Sequence, residues 1–142
     1  MTKPLVKRLT KEAMLPTRAH DDDAGWDLHA LEDYTLHPGE TARIRTGIAV
    51  AIPTGQVGDV RSRSGMAAKN ITVANSPGTI DPGYTGELIV LLRNQTARKF
   101  VIRPGDRIAQ LVIVHTNTSP MVEVDSFDQT ERGSHGFGST GV

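Results

Sequence analysis

The sequence predicts an all-β fold, a sandwich or jelly roll, and three observations carry that reading. Apolar residues fall in short runs that often alternate with polar ones, glycine and proline punctuate the runs, and only one segment starts like a helix. Between the turn signals His37-Pro38-Gly39-Glu40 and Pro53-Thr54-Gly55, the alternation of Ala42, Ile44 and Thr46, then of Ile48, Val50 and Ile52, predicts strand. Further strands are predicted at 57–61, 71–74, 87–93, 100–102, 107–115 and 121–124. Residues 88–92 and 108–114 are apolar on both faces, so they lie either between two sheets or at a subunit contact. The helical start is Ser64-Gly65-Met66-Ala67-Ala68-Lys69, where Ser64 is placed to cap a short helix. From Glu131 onward, glycine stands at 133, 136, 138 and 141 with little to anchor the chain in a core. That predicts an arm, mobile until something binds it.

Composition narrows the function before any motif does. The 142 residues suit one domain, 1–142, of which 131–142 form the arm, and neither an internal repeat nor an interdomain linker is visible. Lys and Arg number 16, as do Asp and Glu. No global field therefore draws the chain onto nucleic acid or an anionic membrane, and a polyanionic ligand must be held by local charge. Cysteine is absent, which removes disulfide and thiolate chemistry and suits a reducing cytoplasm. The N-terminal MTKPLVKRLTKEAM is too charged for a signal peptide, and no apolar run approaches the ~20 residues of a membrane span. A soluble cytoplasmic protein is expected.

Five segments hold candidate chemistry. In GTIDPGYTGE, 78–87, the Asp81 carboxylate and the Tyr84 ring share one turn shaped by Pro82, which cannot donate, and Gly83, which can take φ > 0. This is a site-like arrangement, or else Asp81 merely terminates the turn. RSRSGMAAK, 61–69, sets guanidinium groups and hydroxyls at a helix mouth, as a phosphate cradle or as a solvated basic turn. No lysine here precedes serine or threonine, so P-loop chemistry is excluded. In HDDDAGWDLHA, 20–30, Asp21, Asp22 and Asp23 read as a solvated loop. Asp27, flanked by Trp26 and Leu28, points toward an interior or a cleft, and hard carboxylates of this kind suit Mg²⁺ and its water shell. In RPGDRIAQLVI, 103–113, Gln110 interrupts an apolar strand, and its amide must satisfy backbone groups or reach a ligand oxygen. RGSHGFGSTG, 132–141, joins Arg132 to a glycine-rich backbone able to curl around phosphate, with Phe137 free to stack on a nucleobase; the bland reading is a disordered end or a subunit-packing arm. The histidines show no zinc spacing, and no serine sits in a nucleophile elbow.

Taken in order, AGWDL at 24–28, RSRSGMAAK, NSPGTIDPGYTGE at 75–87, RPGDRIAQL and RGSHGFGSTG closely resemble the motifs of the trimeric dUTP pyrophosphatases (dUTPases) over nearly the whole chain. The resemblance implies a distorted, β-clip-like jelly roll and a homotrimer with shared active sites, each closed by another subunit's arm. It also implies Mg²⁺-assisted hydrolysis of dUTP to dUMP and pyrophosphate, which limits uracil in DNA and supplies dUMP for thymidylate synthesis. By position, Asp81 activates the water that attacks the α-phosphorus, and Asp27 supports the metal through its waters. Arg63, Ser64, Gly65 and Gln110 hold phosphate oxygens. Asn75 and the hairpin through Gly78, Thr79 and Ile80 read uracil, with Tyr84 under the deoxyribose. Arg132 grips the terminal phosphate, Phe137 covers the base, and Gly138, Ser139 and Thr140 close on the phosphates. Tyr84 leaves no space for a ribose hydroxyl, nor the hairpin for a thymine methyl, and cytosine presents its donor and acceptor swapped.

Three positions depart from the family pattern: Ser62 where proline is frequent, His135 where many members have glycine, and Gly83 where other branches have aspartate. The nearest alternative is a dCTP deaminase of the same fold. That enzyme needs a glutamate where this chain has Leu91. A non-catalytic nucleotide-binding regulatory protein is the other, and the retained Asp27, Asp81 and complete arm speak against it.

Overall fold

Along residues 41–51 the predicted alternation becomes a burial pattern: Ala42, Ile44 and Thr46 turn inward while Thr41, Arg43 and Arg45 face out. The computed structural model describes residues 3–141. Its strands are β1 (Leu5–Arg8), β2 (Gly25–His29), β3 (Tyr34–Leu36), β4 (Thr41–Ala51), β5 (Gln56–Arg61), β6 (Ile71–Val73), β7 (Gly78–Ile80), β8 (Glu87–Asn94), β9 (Phe100–Ile102) and β10 (Arg107–His115), with one helix, α1 (Ser64–Ala67). One sheet runs β1-β4-β8-β6, a second β2-β10-β5-β7, and β3 pairs with β9. The architecture is jelly-roll-like, and every pairing is antiparallel.

Between the sheets lie Leu28, Ile44, Ile48, Val60, Leu88, Val90, Leu92, Ile108 and Leu111, all buried, with Leu36 and Ile102 closing one end. Each such side chain contributes about 1.5–3 kcal/mol relative to exposure. The doubly apolar β8 sends Leu88, Val90 and Leu92 into this core and leaves Ile89 and Leu91 half-buried on the outer face. The wholly buried Asn94 is fully used: its amide donates to the carbonyls of Leu36 (2.9 Å) and Arg98 (2.7 Å), and its oxygen accepts from Thr96 N (2.9 Å) and Thr96 Oγ1 (2.7 Å).

One irregularity bears on the site. The β4–β8 register shifts between Arg45 and Ala49, and Gly47 within the bulge has φ +72°. A Cβ there would meet Ala13 Cβ at 2.9 Å and Leu31 Cδ1 at 3.0 Å, so only glycine fits without displacing the neighbours.

Two expectations are corrected. Residues 121–124 form no strand; Met121, Val122 and Val124 are 102%, 80% and 53% exposed. A β-prone segment needs a neighbour to pair with, and 121–124 pairs with no described strand. Ser64 is the first residue of α1 and not its cap: Arg63 takes the cap position with no side-chain capping bond. The strands β1, β2, β3 and β7 are absent from the sequence prediction because none carries a sustained period-two pattern, and pairing with neighbours makes them strands.

Candidate active site

The turn at Asp81 forms as its residues dictate. Tyr84 N donates to Asp81 O at 3.2 Å with Gly83 at φ +90°, the geometry Pro-Gly favours at a type II turn. The Asp81 carboxylate is exposed and takes no part in closing the turn. The Tyr84 ring folds back over Gly86, where an added Cβ would lie 2.7 Å from its hydroxyl, and that hydroxyl donates to Glu87 O at 2.9 Å. Glu87 roots the hairpin. Its carboxylate accepts from Arg45 Nε (3.1 Å) and Nη2 (3.2 Å) and from Gly47 N in the bulge (3.1 Å). Asp81 and Tyr84 thus border a cleft of about 260 Å³ with Thr79, Ile80, Glu87, Ile89 and Arg43. Arg43 escapes the motif reading, because outward alternation in β4 predicts its face but only the β4–β8 pairing brings it to the hairpin.

A second group gathers at the other end of β5. Asp27, Gln110 and Arg61 sit in register across β2, β10 and β5, so their side chains share a face. Arg63 Nε reaches Asp27 Oδ1 at 3.1 Å, and Arg107 Nη1 lies 3.8 Å from Oδ2. Asp27 is half-buried and held between these two guanidinium groups. Gln110 Nε2 donates to Ser62 O at 3.0 Å, bracing the turn that carries Arg63, Ser64 and Gly65. Two members of the predicted cradle are otherwise occupied: Arg61 pairs with Asp59 at 3.1 Å, and Ser62 Oγ accepts from Val73 N at 2.8 Å. A helix of four residues contributes little dipole, so an anion here depends on Arg63 and local N–H groups. Asn75 lies against Gly78, its Nδ2 3.2 Å from where a Cβ would sit, beside β7.

The arm forms the third group. Arg132 Nε donates to His135 O at 2.8 Å, and turns close at Ser139 N→Gly136 O (3.1 Å) and Gly141 N→Gly138 O (3.0 Å). Phe137 is 114% exposed with φ +51°, and Arg132, Ser139 and Thr140 are exposed with it. A single chain therefore brings together Asp27, Arg63, Ser64, Gly65 and Gln110, but leaves Asp81 with Tyr84, and the arm, as separate groups.

Among the described residues no group of three or more acidic, His or Cys side chains can cage a metal. One half-buried carboxylate does suit Mg²⁺, which keeps much of its water and is commonly held by one or two carboxylates plus substrate phosphates. Close by, His29 is buried, with Nδ1 lacking a partner among the described residues and Nε2 3.3 Å from Thr17 Oγ1. Burial pulls its pKa below the usual 6.5, against the upward pull of Asp27 and with smaller downward pushes from Arg107 and Arg63. The unfolded chain takes up this proton near 6.5, the folded chain only at lower pH, so between those values the unfolded state binds more protons and stability rises with pH. Thermal melts in EDTA should lose stability as pH falls through about 6.5, and His29→Gln should flatten that slope. An unchanged slope in the variant would assign the effect to another group.

In class the molecule is a jelly-roll-like β protein whose site candidates fall in three groups, Asp27 with Arg63 and Gln110, Asp81 with Tyr84, and the arm. The dUTPase family model matches residues 11–141. The deoxyuridine 5'-triphosphate nucleotidohydrolase of Mycobacterium marinum is 51% identical over 96% of this chain and 93% of its own. A mutant dUTPase of Staphylococcus bacteriophage 80alpha, solved with dUpNHpp, superposes with a TM-score of 0.89 at 34% identity, covering both chains fully. A mutant dUTPase from phage phi11 of S. aureus, solved for its coordination of a structural Mg(II) ion, has a TM-score of 0.84 at 32% identity over 90% of this chain and all of that one. The chain belongs to the dUTPase family.

Proposed function

We propose that this dUTPase hydrolyses dUTP to dUMP and pyrophosphate in sites shared between three copies of the chain, with Asp81 positioning the water that attacks the α-phosphorus. The observation that carries this reading is the separation of the site residues. Ile80 faces Gly58 in β5, so Asp81 stands level with Val57, whereas the cradle begins beyond Arg61. At ~3.3 Å per residue those levels are about 13 Å apart along the strand before Arg63 is reached. A nucleotide seated at the Asp81 cleft of one copy meets the Arg63–Gln110 cradle of a second and the arm of a third. Two further features suit such an assembly. The half-buried Ile89 and Leu91 offer an apolar outer face, and the sheet edge at β1 is open to a further strand.

In this arrangement Asp81 accepts a proton from water as the oxygen attacks in line, the P–O bond to the β-phosphate breaks, and pyrophosphate leaves. Asn75, Gly78, Thr79 and Ile80 hold the uracil edge, and Tyr84 packs under C2′. Arg63 exchanges its Asp27 partner for phosphate, joined by Ser64, Gly65 and Gln110, while Arg132 and the backbone at Gly138, Ser139 and Thr140 take the terminal phosphates. Phosphoryl transfer is mainly positioning and charge neutralisation, which these cations supply locally in a chain with no net charge. Mg²⁺ would sit on the triphosphate with Asp27 accepting from its waters, and when bound it supplies further neutralisation of the developing charge.

Pyrophosphate release measured in parallel on dUTP, dTTP, dCTP and UTP with Mg²⁺ tests the reading. Turnover of dUTP alone is expected. Ammonia release from dCTP would make the chain a deaminase, and binding without turnover a regulatory protein. Light scattering should give three times the 15.3 kDa chain mass; a catalytically competent monomer would remove the shared site.

A further inference from the structure

We infer that Arg43 is a further substrate contact of the Asp81 cleft and takes the α-phosphate of the bound nucleotide. This rests on the placement of the nucleotide beside Asp81 proposed above.

Three arginines share the outer face of the β4–β8 ladder: Arg43 and Arg45 on β4, and Arg93 on β8. Two are engaged. Arg45 grips the Glu87 carboxylate, and Arg93 Nε donates to Thr41 Oγ1 at 3.1 Å. Among the described residues Arg43 has no ion pair or hydrogen bond for its guanidinium, although it borders the cleft with Asp81, Tyr84 and Glu87. Its cross-strand partner is Leu91 and its diagonal neighbour Ile89, both half-buried. These give the aliphatic stem an apolar floor while the charged head stays at the cleft.

The charge balance of the cleft explains why a cation is needed there. Three charged side chains border it: Arg43, Asp81 and Glu87. Glu87 is neutralised by Arg45, so Asp81 and Arg43 remain. Asp81 must stay ionised to accept a proton, and without Arg43 a net negative cleft would face a polyanionic nucleotide. The guanidinium is planar and permanently charged, suited to two phosphate oxygens at once. The α-phosphate is the one within its reach, because the hairpin takes the base and the β- and γ-phosphates run toward the cradle of the neighbouring copy.

The test uses the full-length protein and its Arg43→Gln and Arg43→Lys variants, with light scattering to confirm assembly. For Arg43→Gln, KM for dUTP should rise about tenfold, the size expected for one charge-assisted hydrogen bond, and kcat should fall with it, because the guanidinium sits on the phosphoryl group under attack. Inhibition by dUMP, which carries only the α-phosphate, should weaken by the same factor, and inhibition by deoxyuridine should not change. Arg43→Lys should recover part of the loss. Equal weakening of dUMP and deoxyuridine would make Arg43 a base or fold contact and overturn the inference. So would unchanged KM, or loss of the oligomer in either variant. If neither dUMP nor deoxyuridine inhibits the unaltered protein, the placement of the nucleotide at the Asp81 cleft is itself wrong.

Discussion

Replacing Asp81 with asparagine should cut pyrophosphate release from dUTP by roughly 10² to 10⁴, the range set by loss of a positioned carboxylate base. The substitution keeps the side chain's shape and removes its capacity to accept the water's proton. Folding should be unaffected, since the Asp81 carboxylate is exposed and the turn closes through the backbone from Tyr84 N to Asp81 O. Affinity for a non-hydrolysable dUTP analogue should stay within a few-fold of the unaltered protein's. Steady-state pyrophosphate release together with calorimetric analogue binding separates the two effects. Turnover near normal would refute the role of Asp81 as base.

Ending the chain before Arg132 is expected to cost a comparable amount by a different route. The arm adds nothing to the core, and Phe137 and Arg132 stand exposed, so melting temperature and oligomeric mass should stay unchanged. The losses fall on the bound nucleotide. Stacking of Phe137 on the base accounts for ~1–3 kcal/mol and charge-assisted bonds from Arg132 for about 1.5–3 kcal/mol. Together these amount to roughly 10² to 10⁴ in kcat/KM, at about 1.4 kcal/mol per decade. Phe137→Ala alone should lose only the stacking share. A truncated enzyme with full activity would take the arm out of the mechanism.

How much of this could be read without coordinates depended on whether the signal was local. The alternation in β4 and the apolar runs of β8 and β10 were legible because core strands repeat with period two or are apolar throughout. The Asp81 turn was legible because Pro82 and Gly83 dictate their own dihedrals. Strands β1, β2, β3 and β7 were not, since a neighbour's hydrogen bonds make each of them a strand. Residues 121–124 show the converse error: strand propensity without a partner in the same chain. The capping role read for Ser64 failed because α1 begins one residue earlier than the sequence signal suggests.

By itself, the sequence determined the family, the all-β class and the identity of the candidate groups, because motifs of this kind are written in contiguous residues whose chemistry is their own. Tertiary structure alone decided which groups meet. Strand register set Asp27, Gln110 and Arg61 on one face, the β4 bulge tied Glu87 to the hairpin, and pairing with β8 brought Arg43 to Asp81. The physical reason is that ladder hydrogen bonds join residues far apart in the chain: a strand's own alternation fixes which face is buried, but not which distant strand it will pair with.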